Sequence, residues 1–279
     1  MNIQFEKYLD KCLQEFSNNS ISKAMAYSLD GGKRIRPLVI FAICKGFGIK
    51  ESKAYPAAAA LEFIQTYSLI HDDLPAMDND DYRRGKLSTH KKFGEGIGIL
   101  TGDALLTHAF SILANPKNLY DGELVKKLVY DLANYSGMNG MIYGQLLDIT
   151  SSNKKINKKL LFNIQDNKTS GLFKYCTLAA MHLAGNNNRN YFTELGSKIG
   201  IIFQNQDDLF DVIKSEKEMG KSLSDKDNDK LTALSYMSVD ELKSHIDYLF
   251  KDLDNYLKKA PFDTTELKKL LIKVKDRAK

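Results

Sequence analysis

Closely spaced aspartates and arginines occupy one short stretch of the chain, residues 68–85. Carboxylates packed this densely repel one another unless a cation lies among them, and Mg²⁺ commonly shares one or two carboxylates with a substrate phosphate. Two adjacent arginines can hold a phosphate bidentately. The stretch indicates a metal and phosphate site, with a solvated acidic turn around Pro75 as the alternative. Its charged residues, besides His71, are Asp72, Asp73, Asp78, Asp80, Asp81, Arg83 and Arg84.

A second group of aspartates lies inside an apolar segment, residues 201–212. Asp207 and Asp211 are one helical turn apart, Asp208 lies between them, and Gln204 lies one turn earlier. Like charges at this spacing destabilise a helix, and the apolar flanks argue against a solvated face. A divalent cation bound by Asp207 and Asp211 would relieve the repulsion. Two such groups on apolar helices predict a pair that faces a cavity in a helical bundle.

A basic loop with two glycines, residues 31–37, precedes a predicted helix. Lys33, Arg34 and Arg36 place three positive charges beside Pro37, which is suited to the start of a helix. Anions favour helix N-termini, so the loop is a candidate anion site. A flexible basic loop is the alternative.

Three further lysines are candidate cations near the site. Lys168 and Thr169 lie mid-helix among apolar residues, where a lysine is unusual unless it reaches solvent along its own stem. Lys221 and Lys230 lie after the second aspartate group, on a segment that could close over the site.

Helical patterns dominate the elements that must position these residues. The chain has only five prolines, and no alternating apolar pattern persists. We predict an all-α fold in a single domain, residues 1–279. The predicted helices cover residues 2–16, 21–29, one segment that Pro37 opens, one from Pro56 to Asp73, 97–113, 121–149 as one helix or two, 158–184, 190–214, and an amphipathic C-terminal part at 239–278.

Composition excludes several other classes of protein. The net charge of +5 comes from scattered lysines, whereas a nucleic-acid-binding protein more often gathers them into a stripe. The three cysteines are widely spaced and form no disulfide or zinc pattern. We see no signal peptide and no apolar run of about 20 residues that could span a membrane. The expected location is the cytoplasm.

These features together favour a substrate that carries a diphosphate on an apolar tail. Metal ions and cationic side chains would stabilise diphosphate as a leaving group, and an apolar wall would shelter the carbocation left behind. No P-loop motif is present. His71 and Asp72 could belong to a helical metal phosphohydrolase, but no histidine precedes His71. A third hypothesis is a binding or regulatory subunit, which would be expected to lose carboxylates that this chain keeps.

The motifs resemble those of the trans-type short-chain isoprenyl diphosphate synthases, most closely the bacterial farnesyl diphosphate synthases. The resemblance covers nearly the whole chain in order. It rests on Gly31-Gly-Lys-Arg-Ile-Arg-Pro37, His71-Asp-Asp-Leu-Pro-Ala-Met-Asp78, Arg83-Arg-Gly85, Gly102-Asp103, Gly144-Gln145 with Asp148, Lys168-Thr169, Phe203-Gln204, Asp207-Asp-Leu-Phe-Asp211, Gly220-Lys221 and Lys230.

The resemblance implies an all-α homodimer in which each helical bundle surrounds a deep central cavity. It also implies three Mg²⁺ ions, with Mn²⁺ as a substitute, and a head-to-tail condensation of isopentenyl diphosphate with an allylic diphosphate. The roles it implies are metal ligands at Asp72, Asp73, Asp78, Asp207, Asp208 and Asp211; allylic diphosphate ligands at Arg83, Lys168, Lys221 and Lys230; isopentenyl diphosphate ligands at Lys33, Arg36, Gln65 and Arg84; and stabilisation of the cation by Thr169, Gln204 and the Lys168 carbonyl.

Product length is expected to depend on residues just before the first aspartate group. Tyr67, with Ser68 beside it, lies five residues before Asp72, about 7.5 Å down the helix. The family places an aromatic residue near there as the floor of the tail pocket, which favours a C15 product; geranyl (C10) and geranylgeranyl (C20) diphosphate are the alternatives. The chain departs from the family pattern between Lys221 and Asp225, where one residue and a glycine are missing.

Overall fold

The structure is a computed structural model that describes residues 2–14, 16–151, 158–219 and 232–275, with the backbone alone for 211 and 214–219. Its α-helices are α1 Ile3–Leu13, α2 Ser20–Leu29, α3 Ile35–Gly46, α4 Glu51–Asp72, α5 Thr89–Phe93, α6 Glu95–Ala114, α7 Gly122–Ser136, α8 Met141–Ser151, α9 Lys158–Ile164, α10 Ser170–Leu183, α11 Arg189–Met219, α12 Val239–Leu257 and α13 Thr265–Lys275. A π-helical turn spans Gln165–Thr169, a 3₁₀ turn spans Ala233–Ser235, and strands β1 Tyr82–Arg83 and β2 Lys86–Leu87 form a hairpin.

The predicted all-α fold is confirmed, and two predicted helix starts are wrong. Helix α4 begins at Glu51, so Pro56 lies inside it and costs the helix one backbone bond to the Ser52 carbonyl. Helix α3 begins at Ile35, two residues before Pro37. A proline is tolerated in that first turn because N–H groups there have no partner within the helix.

Side-chain caps fix several helix starts. Asn19 begins α2 and Ser238 begins α12, each with a reciprocal capping box in which the third helical residue binds back to the cap. These local bonds explain why the polar loops end where they do.

The described chain divides into two compact units, and the prediction of a single domain stays a prediction. The first unit holds the described residues of Met1–Phe41 and Ile49–Val129. Its centre is α4 packed against α6. The alanines at 57–60 are fully buried, and a Cβ on Gly102 would overlap the His71 ring, so the two helices approach closely at that point.

Helix α6 is the one described helix that is long and apolar enough to cross a membrane by length and composition alone. Its side chains at Leu105, Ala109 and Leu113 are fully buried within the first unit. Ile99 and Leu100 of the same helix are exposed.

The second unit holds the described residues of Ala42–Gly48 and Tyr130–Lys279. Helices α10 and α11 pack closely there, because a Cβ on Gly196 would overlap the Lys174 backbone and one on Gly200 would overlap Ser170. A buried carboxylate, Asp131, joins three helices of this unit through His182, at 2.8 Å, and Arg189, at 2.5 Å.

Candidate active site

The first aspartate group lies where α4 ends. Asp72 is the last helical residue, and the backbone N–H of Asp78 donates to the Asp72 carbonyl at 2.8 Å. Asn79 adopts a φ of 52°, in the left-handed region that asparagine tolerates. The turn around Pro75 therefore folds back over the helix end, as the sequence predicts. It brings the half-buried Asp72 and the exposed Asp78 together at one end of α4.

Asp73 differs from its neighbours because it is buried and bonded to Arg83. The Arg83 Nε donates to both carboxylate oxygens, at 2.9 and 3.2 Å, and Nη2 binds Asp73 again and also Asp80, at 3.1 Å. Burial raises the pKa of Asp73 by more than Arg83 lowers it. Burial lowers the pKa of Arg83, but the bonds and charge of Asp73 outweigh this effect, so that pKa is raised. The predicted metal ligand and the predicted diphosphate ligand are thus partners of each other.

A short hairpin presents Arg83 and Arg84. The two central residues of its turn, Arg84 and Gly85, have φ of 54° and 76°, as a type I′ turn requires. Helix α2 anchors the hairpin, because the Tyr27 hydroxyl donates to the Leu87 carbonyl at 2.7 Å and Lys86 Nζ donates to the Tyr27 carbonyl at 2.7 Å. Sequence reasoning missed this hairpin, since strands of two residues carry no alternating pattern.

Arg84 extends from the turn towards the basic loop. Its Nη1 donates to the Ser28 and Asp30 carbonyls, each at 3.3 Å. A Cβ on Gly32 would overlap the Arg34 guanidinium and lie 3.2 Å from Arg84 Nη1, so glycine lets these cations approach each other. Burial is the main cause that lowers the pKa of Arg84; the Glu62 charge opposes it, and the charges of Arg34 and Arg83 lower the pKa further. An anion at this place would relieve that repulsion.

The cations of the basic loop divide into structural and accessible groups. Arg34 is 7% exposed and binds Glu6, Glu62 and the Leu29 carbonyl at 2.7–3.0 Å. It therefore joins α1, α2 and α4. Lys33 is exposed and Arg36 is half-buried. Among the cations of this loop, these two are the predicted ligands for isopentenyl diphosphate.

The residues before Asp72 that the sequence singles out lie in the last turns of α4. Gln65 is half-buried and Ser68 donates to its carbonyl at 3.0 Å. Tyr67 is 5% exposed, and its ring meets the His71 ring edge to face, with centroids 5.7 Å apart. Burial and the nearby Asp72 charge raise the pKa of Tyr67 to about 12. Its hydroxyl has no hydrogen-bond partner among the described residues.

Lys168 and Thr169 lie in the π-helical turn between α9 and α10. Lys168 Nζ binds Asp148 of α8 at 2.5 Å. A Cβ on Gly144 would overlap the Lys168 backbone, so α8 lies directly against the turn. Single π turns occur frequently at functional sites. Sequence reasoning flagged Lys168 as unusual but gave no sign of the π turn and assigned no role to Asp148.

The second aspartate group lies on α11. The Gln204 carbonyl oxygen accepts a bond from the Thr169 hydroxyl, and its Nε2 donates to Asp208 at 2.8 Å. Asp207 is exposed, whereas Asp208 is buried and also accepts from the Ala233 N–H at 2.9 Å. The Asp211 side chain lies outside the described part of the chain. Lys221 and Lys230 also lie outside the described residues, so their predicted roles stay predictions.

The carboxylates suit Mg²⁺ in chemical kind. Mg²⁺ prefers oxygen ligands and takes only one or two carboxylates together with waters and phosphates. Asp72 and Asp78 meet at the end of α4, and Asp207 is exposed on α11. No group of three acidic, histidine or cysteine side chains capable of holding a metal occurs within the described ranges. The fit is therefore to an ion that completes its shell with phosphate oxygens.

Comparison with known proteins identifies relatives over nearly the whole chain. Residues 18–273 match the family described as Polyprenyl synthetase. The farnesyl diphosphate synthase of Bacillus subtilis is 40% identical over 84% of this chain and 81% of its own length. A geranylgeranyl diphosphate synthase of Cyanophora paradoxa is 39% identical over 85% of this chain and 80% of its own length.

One solved structure connects the same fold to a metal and a substrate. The structure of a geranyltransferase from Helicobacter pylori in complex with magnesium and isoprenyl diphosphate has a TM-score of 0.84. Its sequence is 28% identical, and the alignment covers 98% of this chain and 96% of that one.

Proposed function

This chain belongs to the polyprenyl synthetase family, and we propose that it is a prenyltransferase that makes farnesyl diphosphate. It condenses isopentenyl diphosphate with dimethylallyl or geranyl diphosphate and releases diphosphate. The observation that carries the proposal is the arrangement at the π turn. Thr169 bonds to Gln204, and Gln204 bonds to Asp208 of the second aspartate group, within one unit; this network supports a role for these residues at the reacting cation.

The first step breaks the allylic C–O bond, and the diphosphate departs with both electrons. Mg²⁺, when bound, neutralises charge on that leaving group. Arg83 is held by Asp73 and Asp80, and Lys168 by Asp148, so both cations are oriented before substrate arrives. We assign stabilisation of the resulting allylic cation to oxygen lone pairs of the Thr169 hydroxyl and the Lys168 carbonyl, with Gln204 accepting the Thr169 proton. Preorganised dipoles of this kind need little rearrangement as charge develops.

The second step forms the new C–C bond. The double bond of isopentenyl diphosphate attacks the allylic cation, a proton is lost from the adjacent carbon, and we assign the departed diphosphate as its acceptor. Lys33, Arg36, Gln65 and Arg84 hold the isopentenyl diphosphate. The close approach of the Arg34 and Arg84 guanidinium groups at Gly32 supports this assignment, because an anion there would offset the repulsion between them.

Several further properties of the enzyme belong to the same proposal. Three Mg²⁺ ions per site, Mn²⁺ as a substitute, a homodimer and a cytoplasmic location are what the family resemblance implies. Exposed apolar side chains on α6, at Ile99 and Leu100, give a homodimer a surface to cover. The cavity for the apolar tail, the Lys221 and Lys230 contacts, and the absence of a nucleic-acid partner also remain parts of the proposal.

The alternatives have less support in the structure. A metal phosphohydrolase would use His71 as a ligand, but its Nε2 lies 3.1 Å from the Ile99 carbonyl and its ring packs on Gly102. An inactive regulatory subunit does not need an oriented Lys168 or Thr169. A geranyl or geranylgeranyl diphosphate synthase would use the same site and differ in the tail pocket, where the buried Tyr67 favours the C15 product.

The proposal is tested by incubating the protein with Mg²⁺, isopentenyl diphosphate and each allylic primer in turn, and measuring product length. We expect a predominantly C15 product from geranyl diphosphate. Asp72→Ala and Asp207→Ala are expected to abolish transfer in folded protein. Asp247→Ala is the control, because that aspartate is exposed and lies on α12. Failure of the unaltered protein to transfer with any primer would favour a regulatory role, and near-normal turnover in either site variant would refute the metal role.

A further inference from the structure

We propose that Asp208 is a positioning residue that fixes the direction of the hydrogen bonds ending at the Thr169 hydroxyl. This inference rests on the proposed prenyl transfer and assigns Asp208 a role different from the metal ligation that the family resemblance implies. The chain of bonds runs from the Ala233 N–H and Asp208 through Gln204 to Thr169.

Asp208 faces the interior of its unit, not the solvent. It is 6% exposed, whereas its neighbour Asp207 is exposed. Successive helical residues are rotated by about 100°, so the two carboxylates of this pair leave α11 in different directions. One Asp208 oxygen accepts from Gln204 Nε2 at 2.8 Å and the other accepts from the Ala233 N–H at 2.9 Å. Both oxygens therefore already serve protein donors.

The chemistry of these groups determines the orientation of the Gln204 amide. An ionised carboxylate can only accept hydrogen bonds, so the amide nitrogen of Gln204 must face Asp208. Its carbonyl oxygen must then face Thr169. The Thr169 hydroxyl has one proton, and that proton is used in the bond to Gln204. Its two lone pairs are not used in that bond.

This directionality matters for the proposed cation. A hydroxyl whose proton is committed elsewhere presents only lone pairs, which is the orientation that stabilises positive charge. If the Gln204 amide were reversed, its NH₂ group would face Thr169 and use a lone pair of the hydroxyl. The hydroxyl proton could then point at the cation. Fixed dipoles contribute to catalysis because they need not reorient during the reaction, and Asp208 supplies that constraint.

Asp208→Asn is a sharp test because it keeps the size and shape of the side chain. The asparagine has one accepting oxygen and one NH₂ group. If the asparagine oxygen accepts from Gln204, its NH₂ group faces the Ala233 N–H, so two donors meet there. If the oxygen serves Ala233, the NH₂ group faces Gln204 and reverses its amide. We expect kcat for transfer to geranyl diphosphate to fall roughly 10- to 100-fold, below the ~10²–10³ lost when an oxyanion-hole donor is removed.

Two readouts separate positioning from metal ligation and from general damage to the fold. The Mg²⁺ concentration for half-maximal activity should stay unchanged in Asp208→Asn but rise in the matched variant Asp207→Asn. In a Thr169→Val background, which has no hydroxyl to orient, adding Asp208→Asn should cost little further activity. Thermal unfolding of each purified variant checks that it is folded. If Asp208→Asn folds poorly in the Thr169→Val background, the same double-mutant comparison is made in a Gln204→Met background.

A parallel rise in Mg²⁺ requirement for both aspartate variants would overturn the proposal in favour of metal ligation. The proposal would also be overturned if Asp208→Asn lowered kcat by the same factor with and without the Thr169 hydroxyl. Because every variant is compared with active unaltered protein, absence of transfer by that protein would instead count against the proposed function.

Discussion

Tyr67 allows stability and product length to be tested at one position. Its ring is 5% exposed and lies against His71, and its hydroxyl has no hydrogen-bond partner among the described residues. The residue lies about 7.5 Å below Asp72 on α4. Two substitutions separate the effect of the hydroxyl from that of the ring, because Tyr67→Phe removes only the hydroxyl and Tyr67→Ala removes the ring as well.

The two variants should change stability in opposite directions. Burying a hydroxyl without a partner costs about 1–3 kcal/mol, so Tyr67→Phe should be stabilising by up to about 1 kcal/mol once some solvent access is allowed. Tyr67→Ala should lose about 3–5 kcal/mol, the usual cost of deleting a buried aromatic ring. For a chain of this size that loss lowers Tm by about 10 °C. Tyr67→Leu is a milder variant if the alanine protein is unstable.

Product length is measured with geranyl diphosphate, excess isopentenyl diphosphate and Mg²⁺. Tyr67→Phe keeps the ring and should still give a C15 product, whereas Tyr67→Ala should extend the product beyond C15. An unchanged product distribution from folded Tyr67→Ala would refute the floor role. Destabilisation of Tyr67→Phe by more than about 1 kcal/mol would refute the unpartnered hydroxyl.

The same residue predicts a change in alkaline stability. The folded pKa is about 12, above the ordinary value of 10.0, because burial and the Asp72 charge disfavour the phenolate. The unfolded chain therefore ionises first. The stability that this group contributes is complete below pH 10 and is lost as pH rises towards 12. Tyr67→Phe should show a shallower decline over that window in denaturant unfolding, and identical slopes would contradict the assignment.

Three other perturbations test the supporting structure. Arg34→Met should lower the free energy of unfolding in urea by about 3–5 kcal/mol, because it leaves the buried Glu62 carboxylate uncompensated. Adding Glu62→Gln should recover part of that loss, and no recovery would contradict the pairing. Gly102→Ala should lower the free energy of unfolding by about 1–3 kcal/mol, because the added Cβ overlaps the ring of a histidine. The control Gly96→Ala, which has open space around it on the same helix, should be neutral or stabilising. Asp131→Asn should lose about 1–3 kcal/mol at pH 7. Burial raises the pKa of Asp131, but its histidine and arginine partners outweigh this effect and lower it. The difference in unfolding free energy between the unaltered protein and Asp131→Asn should therefore shrink as pH falls below about 4. A constant difference down to pH 3 would argue against the ion pair.

The helices could be predicted from the sequence because their signals are local and repeated. Apolar residues recur at helical spacing, and Pro75 ends α4 close to where the sequence predicts. The hairpin at 82–87 could not be predicted in this way. Its turn contains Arg84 at φ 54°, a conformation that glycine or asparagine normally signals. What holds it is contact with Tyr27 of α2, which is distant in sequence.

The π turn shows a second limit of sequence reasoning. Lys168 stands out as a lysine among apolar residues, but nothing in its neighbours distinguishes a π turn from an α-helix. The turn is determined by packing, since Gly144 of α8 lies on the Lys168 backbone and Gly171 lies on the Tyr135 carbonyl. Glycines far apart in the chain thus make room for it, and their joint purpose is visible only in three dimensions.

The adjacent aspartates of the two motifs show why a motif overstates how many ligands it supplies. Neighbouring helical residues are rotated by about 100°, so both members of an Asp-Asp pair cannot face one ion equally. In each pair the first carboxylate is the more exposed, Asp72 half-buried and Asp207 exposed, while Asp73 and Asp208 are 2% and 6% exposed and bonded to protein donors. If the second members hold ligand-bearing side chains in place, removing them should lower kcat without changing the Mg²⁺ requirement. Replacing the first members with asparagine should instead raise that requirement, so metal titration of the four single asparagine variants distinguishes ligation from positioning in both motifs.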